Sequence, residues 1–200
     1  MKFFHVGDLH LGKQLHGYDL IKDQEHMLEE LLFYIKKEQP DAVLIAGDIY
    51  DRAVPSGTAM QLLEQFFIQA DELAKEQKAV EIILIAGNHD AAKRLQYGSS
   101  FMKRHHIHIA VMPPQQEDAY LEQVTLTDQE GVVHFYLLPY TKPGMIRHWV
   151  EQEELANTQD AVKFLLERET IDWNERNVLL SHQFYLHANE DTVLCDSETP

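Results

Sequence analysis

Two stretches of similar sequence, AVLIAGD at residues 42–48 and EIILIAGNHD at residues 81–90, decide the fold of this chain. Each is a run of consecutive apolar residues that leads to a glycine and then to polar side chains. The apolar parts, Ala42 to Ala46 and Glu81 to Ala86, predict strands that are covered on both faces, as in a parallel sheet. A parallel sheet needs crossover connections, so we expect helices between these strands.

The segments around the two runs alternate strand and helix patterns. Lys2 to Val6 predicts a first strand, and the apolar spacing in Tyr18 to Glu38 and in Gly57 to Gln77 predicts two long helices. Pro40 closes the first helix. The order is therefore βαβαβ, and in sheets of this kind the active site lies beyond the carboxyl ends of the strands.

The pattern changes after Pro114. Tyr120 to Leu126 and Val132 to Leu138 flank the turn-like Asp128 to Gly131, which predicts an antiparallel hairpin and a second sheet. The rest of the chain predicts, in order, a helix from about Glu153 to Glu169, a strand at Val178 to Leu180 and a polar loop from Asn189 to Pro200.

Length and composition fit one domain with a sizeable core. The chain has 200 residues, of which 44% are hydrophobic. Its apolar start is too short for a signal peptide, and no stretch is apolar for the length of a membrane span. Cys195 is the single cysteine, so no internal disulfide can form, which suits a reducing compartment. We therefore expect a cytoplasmic protein.

The charge balance bears on the class of ligand. The net charge of −16 argues against indiscriminate binding of nucleic acid, because phosphates are contacted mainly by Lys and Arg. Bound cations would cancel part of this charge, and a partner would be able to supply a basic surface. Twelve histidines in 200 residues direct attention to metal binding.

Polar side chains follow four of the apolar runs. Taken singly, each is explained by a turn, a helix N-cap or a structural histidine. Together they form a convergent set of oxygen and nitrogen donors at one edge of a sheet, which predicts a metal site. The four groups are, in chain order, Asp8-Leu9-His10, Gly47-Asp48, Gly87-Asn88-His89-Asp90 and His182.

The residue types suggest a role for each donor. Asp8 and His10, two residues apart in an extended segment, would reach the same cation. Asp48 has two oxygens with which to bridge two cations. Asn88 offers a neutral oxygen ligand, and His89 would protonate a leaving group or stabilise developing charge.

This order of motifs resembles the fingerprint of the calcineurin-like metallophosphoesterases, which runs Asp-x-His, Gly-Asp-x-x-Asp, Gly-Asn-His-Asp or Glu, His and Gly-His-x-His. The resemblance implies an α/β fold of two packed β-sheets flanked by helices, in four αββα layers. It also implies two divalent cations, with Mn²⁺ common in the nuclease branch, and a water activated to attack a phosphoester. The roles it implies are Asp8 and His10 on the first cation, Asp48 as the bridge, Asn88 and His182 on the second, and His89 as the acid or transition-state stabiliser.

Longer strings resemble the SbcD-type nucleases, a branch of the same superfamily. That resemblance implies a DNA exonuclease and endonuclease of repair and recombination, working with an SbcC-type ATPase on double-stranded DNA ends or hairpins and commonly as a homodimer. The strings run through almost all of the chain: GDLHLGKQLHGYDLIKDQ, AGDIYDRAVPS, GNHDAAKRLQYGSSF, YLLPY, SHQF and the terminal DSE.

One family motif does not occur in the sequence. Gly-His-x-His is absent, and the nearest string, His105-His106-Ile107-His108, lacks the glycine. We therefore expect residues 1–200 to be the C-terminally incomplete, N-terminal portion of the nuclease domain, without that motif, the DNA-contacting cap and the ATPase-binding segment. Each cation would then be short of one imidazole, which predicts weak metal binding and poor activity for these 200 residues.

Three basic residues, Arg52, Lys93 and Arg94, each come just after a motif and are candidates for contacts with DNA phosphates. Lys and Arg are also common on protein surfaces without any such function.

Two other functions stay open. The pair Asp51-Arg52 resembles the Asp-Arg of protein phosphatases and fits an enzyme acting on phosphomonoesters. The missing final motif fits a non-catalytic interaction module without metals. An apolar stripe on the second helix is interpreted as core packing: Leu62, Leu63, Phe66, Phe67 and Leu73.

Overall fold

The computed structural model of the chain describes residues 1–76, 78–150 and 155–185. Nine strands and six helices lie in these ranges, together with a 3₁₀ turn at Lys103–His105. The strands are β1 (Phe3–Val6), β2 (Gln14–Leu15), β3 (Tyr18–Asp19), β4 (Ala42–Ala46), β5 (Glu81–Ile85), β6 (Ile107–Ala110), β7 (Glu122–Asp128), β8 (Gly131–Leu138) and β9 (Arg176–Ser181). The helices are α1 (Ile21–Glu38), α2 (Gly57–Glu76), α3 (Ala92–Leu95), α4 (Ser99–Met102), α5 (Pro143–Ile146) and α6 (Thr158–Arg168).

The first sheet has four parallel strands in the order β1-β4-β5-β6. Ala42 lies opposite both Phe3 and Glu81, so β1, β4 and β5 start at one edge of the sheet and end at the other. Because side chains alternate along a strand, Val43 and Ile45 face α1 and α2. Ala42, Leu44 and Ala46 face the opposite side. The sheet is therefore covered on both faces, as its unbroken apolar runs predicted.

The second sheet covers that opposite side. Its order is β7-β8-β9, with β7 antiparallel and β9 parallel to β8. Phe135 and Leu137 pack against Leu44 and Ile83 of the first sheet. The alternate residues of β8 face outward and pack on α5 and α6. The resulting four layers, αββα, confirm the predicted fold class.

Helix α1 shows how the amphipathic pattern is used. Leu28, Leu32 and Ile35 are buried against the first sheet, at spacings of four and three residues. The helix ends at Glu38; Gln39 caps it in a left-handed conformation (φ 46°), and Pro40 follows. The apolar stripe predicted on α2 also belongs to this core, which confirms its interpretation as packing.

Several predicted boundaries were wrong. Tyr18 to Leu20 is not helical: Tyr18–Asp19 pairs with Gln14–Leu15 in a small hairpin, and two-residue strands are too short to show a period. The helix predicted from Glu153 begins at Thr158, because Asn157 accepts a hydrogen bond from the main-chain N–H of Asp160 and caps it. The short helices α3, α4 and α5 were not predicted. Gln77, Glu153 and the loop predicted at Asn189 to Pro200, with Cys195 and the DSE string, lie outside the described residues.

Within the described ranges, none of the helices combines the length and the apolar character needed to cross a membrane.

Candidate metal centre

The loops that follow β1, β4 and β5 meet at the carboxyl edge of the first sheet. The main-chain N–H groups of Asp8 and His10 donate to the carbonyl oxygens of Gly47 and Asp48, at 3.2 and 2.9 Å. The main-chain N–H of His89 donates to Asp48 Oδ1 at 2.9 Å. These bonds bring three of the four predicted groups around one carboxylate.

The main chain at the donors is left-handed. Asp8, His10 and Asp48 have φ values of 55°, 42° and 48°. The expectation that Asp8 and His10 lie in an extended segment was therefore wrong. The chain turns at Asp8 and at His10 and is hydrogen-bonded to the loop after β4. These turns, and not alternation along a strand, bring the two side chains together.

Two glycines are required by close packing around Asp48 and His182. A Cβ on Gly87 would overlap Asp48 Oδ1 and the main-chain nitrogen of Asp48. A Cβ on Gly47, which has φ 81°, would overlap the ring of His182. The glycines therefore let the loops after β4, β5 and β9 approach within side-chain contact.

Imidazole nitrogens surround the Asp48 carboxylate at distances suited to a cation. The Nε2 atoms of His10, His89 and His182 lie 3.7, 3.9 and 3.6 Å from Asp48 Oδ2. Asp8 Oδ1 is 3.8 Å from His10 Nε2. These separations exceed a hydrogen bond, and they suit ligands that share a cation at bonds of about 2.0–2.2 Å. Two sets of three residues have donor atoms close enough to hold a metal ion. The first set is His10, Asp48 and His89, and the second is Asp8, Asp48 and His182.

The electrostatics of His10 and Asp48 favour coordination, whereas those of His182 favour its protonated form, so a cation at His182 has to displace a proton. Burial lowers the pKa of His10, which keeps its imidazole neutral. Burial alone would raise the pKa of Asp48, but His182 and the main-chain N–H of His89 lower it below its usual value, so the carboxylate stays ionised. His182 has a raised pKa because Asp48 and the carbonyl of Ala46 outweigh the effect of burial.

Comparison with known proteins gives the family. A family model described as calcineurin-like phosphoesterase matches residues 1–193.

The chain belongs to the calcineurin-like phosphoesterases. This phosphoesterase is 33% identical over 202 residues to the D subunit of nuclease SbcCD from Staphylococcus epidermidis, an alignment that covers 100% of this chain and 50% of the relative. It is also 33% identical over 184 residues to the D subunit of nuclease SbcCD from Staphylococcus saprophyticus, covering 91% of this chain and 46% of the relative. These matches confirm the similarity to SbcD that the longer strings predicted. The chain spans about half the length of the curated relatives it matches.

Membership in this metal-dependent family implies divalent metal ions, and the donors of the phosphoesterase fit them. His182 offers a direct test of that fit. Its Nδ1 donates to the carbonyl of Ala46 at 2.7 Å, which leaves Nε2 directed at Asn88 Oδ1 (3.1 Å) and Asp48. An imidazole held in this way presents a nitrogen lone pair to the cluster whenever its Nε2 is deprotonated.

Two residues that sequence reasoning did not assign hold the loops of the phosphoesterase together. The Asp90 carboxylate accepts the main-chain N–H groups of Ile49, Tyr50 and Gly87 at 2.9–3.1 Å, so it ties the loop after β4 to the loop after β5. Gln24 of α1 donates to the carbonyl oxygens of Leu9 and His10 and accepts the N–H of Gly12. Asp90 is the last residue of the Gly-Asn-His-Asp motif, so the sequence pointed to it. Gln24 belongs to no motif, and its place on the buried face of α1 was the single indication of a role.

The predicted phosphate contacts are spread over two places. Arg52 is exposed, with its Nε 3.5 Å from Asp51 Oδ2 beside the cluster. Lys93 and Arg94 are exposed on α3, and Arg94 lines a groove of about 750 Å³ beside α2. Within the described residues, Arg52 is therefore the predicted phosphate contact nearest the cluster, because its neighbour Asp51 lies 3.8 Å from His10.

The string that resembled the missing motif is remote from the cluster along the sheet. His106 and His108 flank the start of β6, at the amino edge, and both pair with Glu81. His105 pairs with Asp71 of α2. These histidines therefore do not replace the final motif of the family.

Proposed function

We propose that this phosphoesterase is the cation-binding part of a DNA nuclease that hydrolyses phosphodiester bonds, as an exonuclease and endonuclease. The main support is that Asp48 Oδ2 lies 3.7 Å from His10 Nε2 and 3.6 Å from His182 Nε2, so one buried carboxylate is placed to serve two adjacent cations. The 33% identity to the D subunit of nuclease SbcCD over the whole chain favours the nuclease branch of the family.

Each donor has a proposed role. Asp8 and His10 hold the first cation, Asp48 bridges, and Asn88 and His182 hold the second. Asp48 suits a bridge because it is buried and accessible to imidazoles on both sides. Asn88 suits the second place because its Oδ1 already faces His182 Nε2. We infer that the two divalent cations are Mn²⁺.

His89 is proposed as the catalytic residue. Its Nδ1 donates to the carbonyl oxygen of Asp51 at 2.8 Å, and its Nε2 lies 3.9 Å from Asp48 Oδ2, next to the proposed cations. From there it donates a proton to the leaving oxygen. The bound cations would supply Lewis acidity and a water whose pKa is lowered to about 7.

The proposed substrate is double-stranded DNA, at ends or hairpins, in repair and recombination in the cytoplasm. Arg52, Lys93 and Arg94 are proposed to contact phosphates. The net charge of −16 leaves a shortage of basic surface, so we propose that an SbcC-type ATPase supplies part of it.

A homodimer is proposed through the groove beside α2. Met60 and Ile68 of α2 and Phe101 of α4 line this groove and are 49%, 44% and 66% exposed. A two-fold axis would bring α2 of one copy against α3 and α4 of the other. Ile68→Glu is expected to shift sedimentation toward monomer. Met27→Glu, which changes a similarly exposed side chain on α1, is expected to leave it unchanged.

The nuclease proposal is tested by titrating Mn²⁺ calorimetrically into this chain and into a version extended through Gly-His-x-His, with both assayed on linear duplex DNA. The extended chain is expected to bind two cations and degrade DNA. His89→Asn in that chain should keep both cations and lose about 10²–10⁴-fold in rate.

Two results would contradict the proposal. Hydrolysis of p-nitrophenyl phosphate without DNA cleavage would assign a phosphomonoesterase, the alternative favoured by Arg52 beside Asp51. An extended chain that binds no cation would assign a non-catalytic module.

A further inference from the structure

One nitrogen of His10 has no hydrogen-bond partner. Within the described residues, His10 Nδ1 and Asn177 Oδ1 are the two buried side-chain polar atoms in this state. An unpaired buried polar group is destabilising, so native structures keep few of them. His10 Nδ1 lies in the predicted cation site. Its lack of a hydrogen-bond partner is therefore relevant to the function of that site.

The surroundings of His10 identify the missing acceptor. Its Nε2 faces the carboxylates of Asp8 and Asp48, at 3.8 and 3.7 Å. Its Nδ1 faces Asp51 Oδ1, also at 3.8 Å. That distance is about 1 Å longer than a hydrogen bond. The imidazole therefore separates two predicted ligands from a third carboxylate to which no role has been assigned.

The carboxylate of Asp51 is not needed by the other histidine nearby. His89 Nδ1 is already satisfied by the main-chain carbonyl of Asp51, at 2.8 Å. On the carboxylate, Oδ2 lies 3.5 Å from Arg52 Nε, which leaves Oδ1 toward His10. The side chain is only 18% exposed, so water competes little for that oxygen.

We propose that Asp51 is a positioning residue for the cation site, whose Oδ1 accepts the Nδ1 proton of His10 and so fixes the tautomer that leaves Nε2 free for a cation. The inference rests on the proposed function. Histidines that bind metals generally donate their second ring N–H to a carboxylate or carbonyl, and loss of that acceptor weakens metal binding about 10–100-fold.

The test compares Asp51→Ala and Asp51→Asn with Asp71→Ala, both in the 200-residue chain and in its version extended through Gly-His-x-His. Asp71 is a matched control, because its Oδ1 lies 3.1 Å from His105 Nδ1 outside the centre. Mn²⁺ affinity is measured by calorimetry, and the His10 tautomer by long-range ¹H–¹⁵N spectra of the metal-free protein. Thermal midpoints report on global stability.

Asp51→Ala is expected to weaken Mn²⁺ binding about 10–100-fold and to lower the fraction of metal-free His10 that carries its proton on Nδ1. Asp51→Asn keeps an acceptor oxygen and should lose less, and Asp71→Ala should bind as the parent does. An unchanged His10 tautomer in Asp51→Ala would overturn the proposal, even with weaker binding, since the carboxylate would then act by charge alone. If neither the parent chain nor its extended version binds Mn²⁺, the proposed function itself fails.

Discussion

Histidines and carboxylates gather at both edges of the first sheet, and the two clusters differ in spacing. At the amino edge each imidazole is hydrogen-bonded directly to a carboxylate, at 2.8–3.1 Å: His105 to Asp71, and His106 and His108 to Glu81. At the carboxyl edge three imidazoles stand 3.6–3.9 Å from Asp48 Oδ2.

Residue type alone does not make a metal site, because the spacing of the donor atoms differs between the two edges. Direct pairs satisfy both partners and leave no space between them for an ion. At the carboxyl edge the main chain takes up other hydrogen bonds of Asp48 and His182, and the imidazoles do not pair directly with the Asp48 carboxylate. His182 Nε2 does contact Asn88 Oδ1, at 3.1 Å, but that oxygen belongs to a neutral amide, so no ion pair has to be broken when a cation binds. We expect cations to bind at this edge and not at the other.

The strongest test of the comparison is Asp48→Asn, with Glu81→Gln as the matched change at the amino edge. Asp48→Asn removes the charge shared by both donor groups and is expected to reduce Mn²⁺ affinity at least about 100-fold, as for loss of a strong electrostatic contact. Glu81→Gln should leave affinity unchanged. Calorimetry on both variants decides, and similar losses in the two would refute the assignment of the metal site to one edge.

Close packing at the carboxyl edge predicts the next effect. Gly87→Ala places a Cβ against Asp48, so the free energy of unfolding should fall by about 1–3 kcal/mol. Gly144→Ala in α5 meets no atom within 4 Å and should change it by at most about 1 kcal/mol, toward greater stability. Urea denaturation measures both. A neutral Gly87→Ala would mean that the loops after β4 and β5 are free to separate.

The smallest effect concerns pH at the amino edge. Burial would raise the pKa of Glu81, but His108 and His106 lower it below its ordinary value of 4.5. A carboxyl with a lowered folded-state pKa stabilises the fold above its unfolded pKa, and this contribution disappears as the pH falls through the folded value.

Between roughly pH 5 and 3, the parent should therefore lose more stability than Glu81→Gln, by a few tenths to about 1 kcal/mol. Glu167→Gln, in an exposed pair with Lys163, should follow the parent. Denaturation at several pH values measures the difference, and parallel curves for the parent and Glu81→Gln would contradict the role of the His–Glu81 pairs.

Much of the fold was predictable because it depends on local pattern. The bounds of β4 matched those predicted, and α2 begins at Gly57 as expected, since an unbroken apolar run and a helical period are both readable in sequence. The hairpin at Gln14 to Asp19 could not be predicted, because its two-residue strands are too short to show a hydrophobic period and pair with each other in a sheet of their own.

The candidate site divides in the same way. The convergence of Asp8, Asp48 and Asn88 was predictable because parallel strands bring their carboxyl ends to one edge. The supporting roles of Gln24 and Asp90 depend on hydrogen bonds to main-chain groups far along the chain, which no local pattern contains.

The left-handed main chain at Asp8 and His10 has an evolutionary consequence. Non-glycine residues are disfavoured there by about 1 kcal/mol or more, and Asp8 also places a carboxylate near that of Asp48. Glycine at position 8 would relieve both and remove a ligand. Selection for thermal stability therefore favours glycine at position 8, whereas selection for cation binding favours aspartate. The aspartate in the loop after β1 lowers stability in exchange for a ligand.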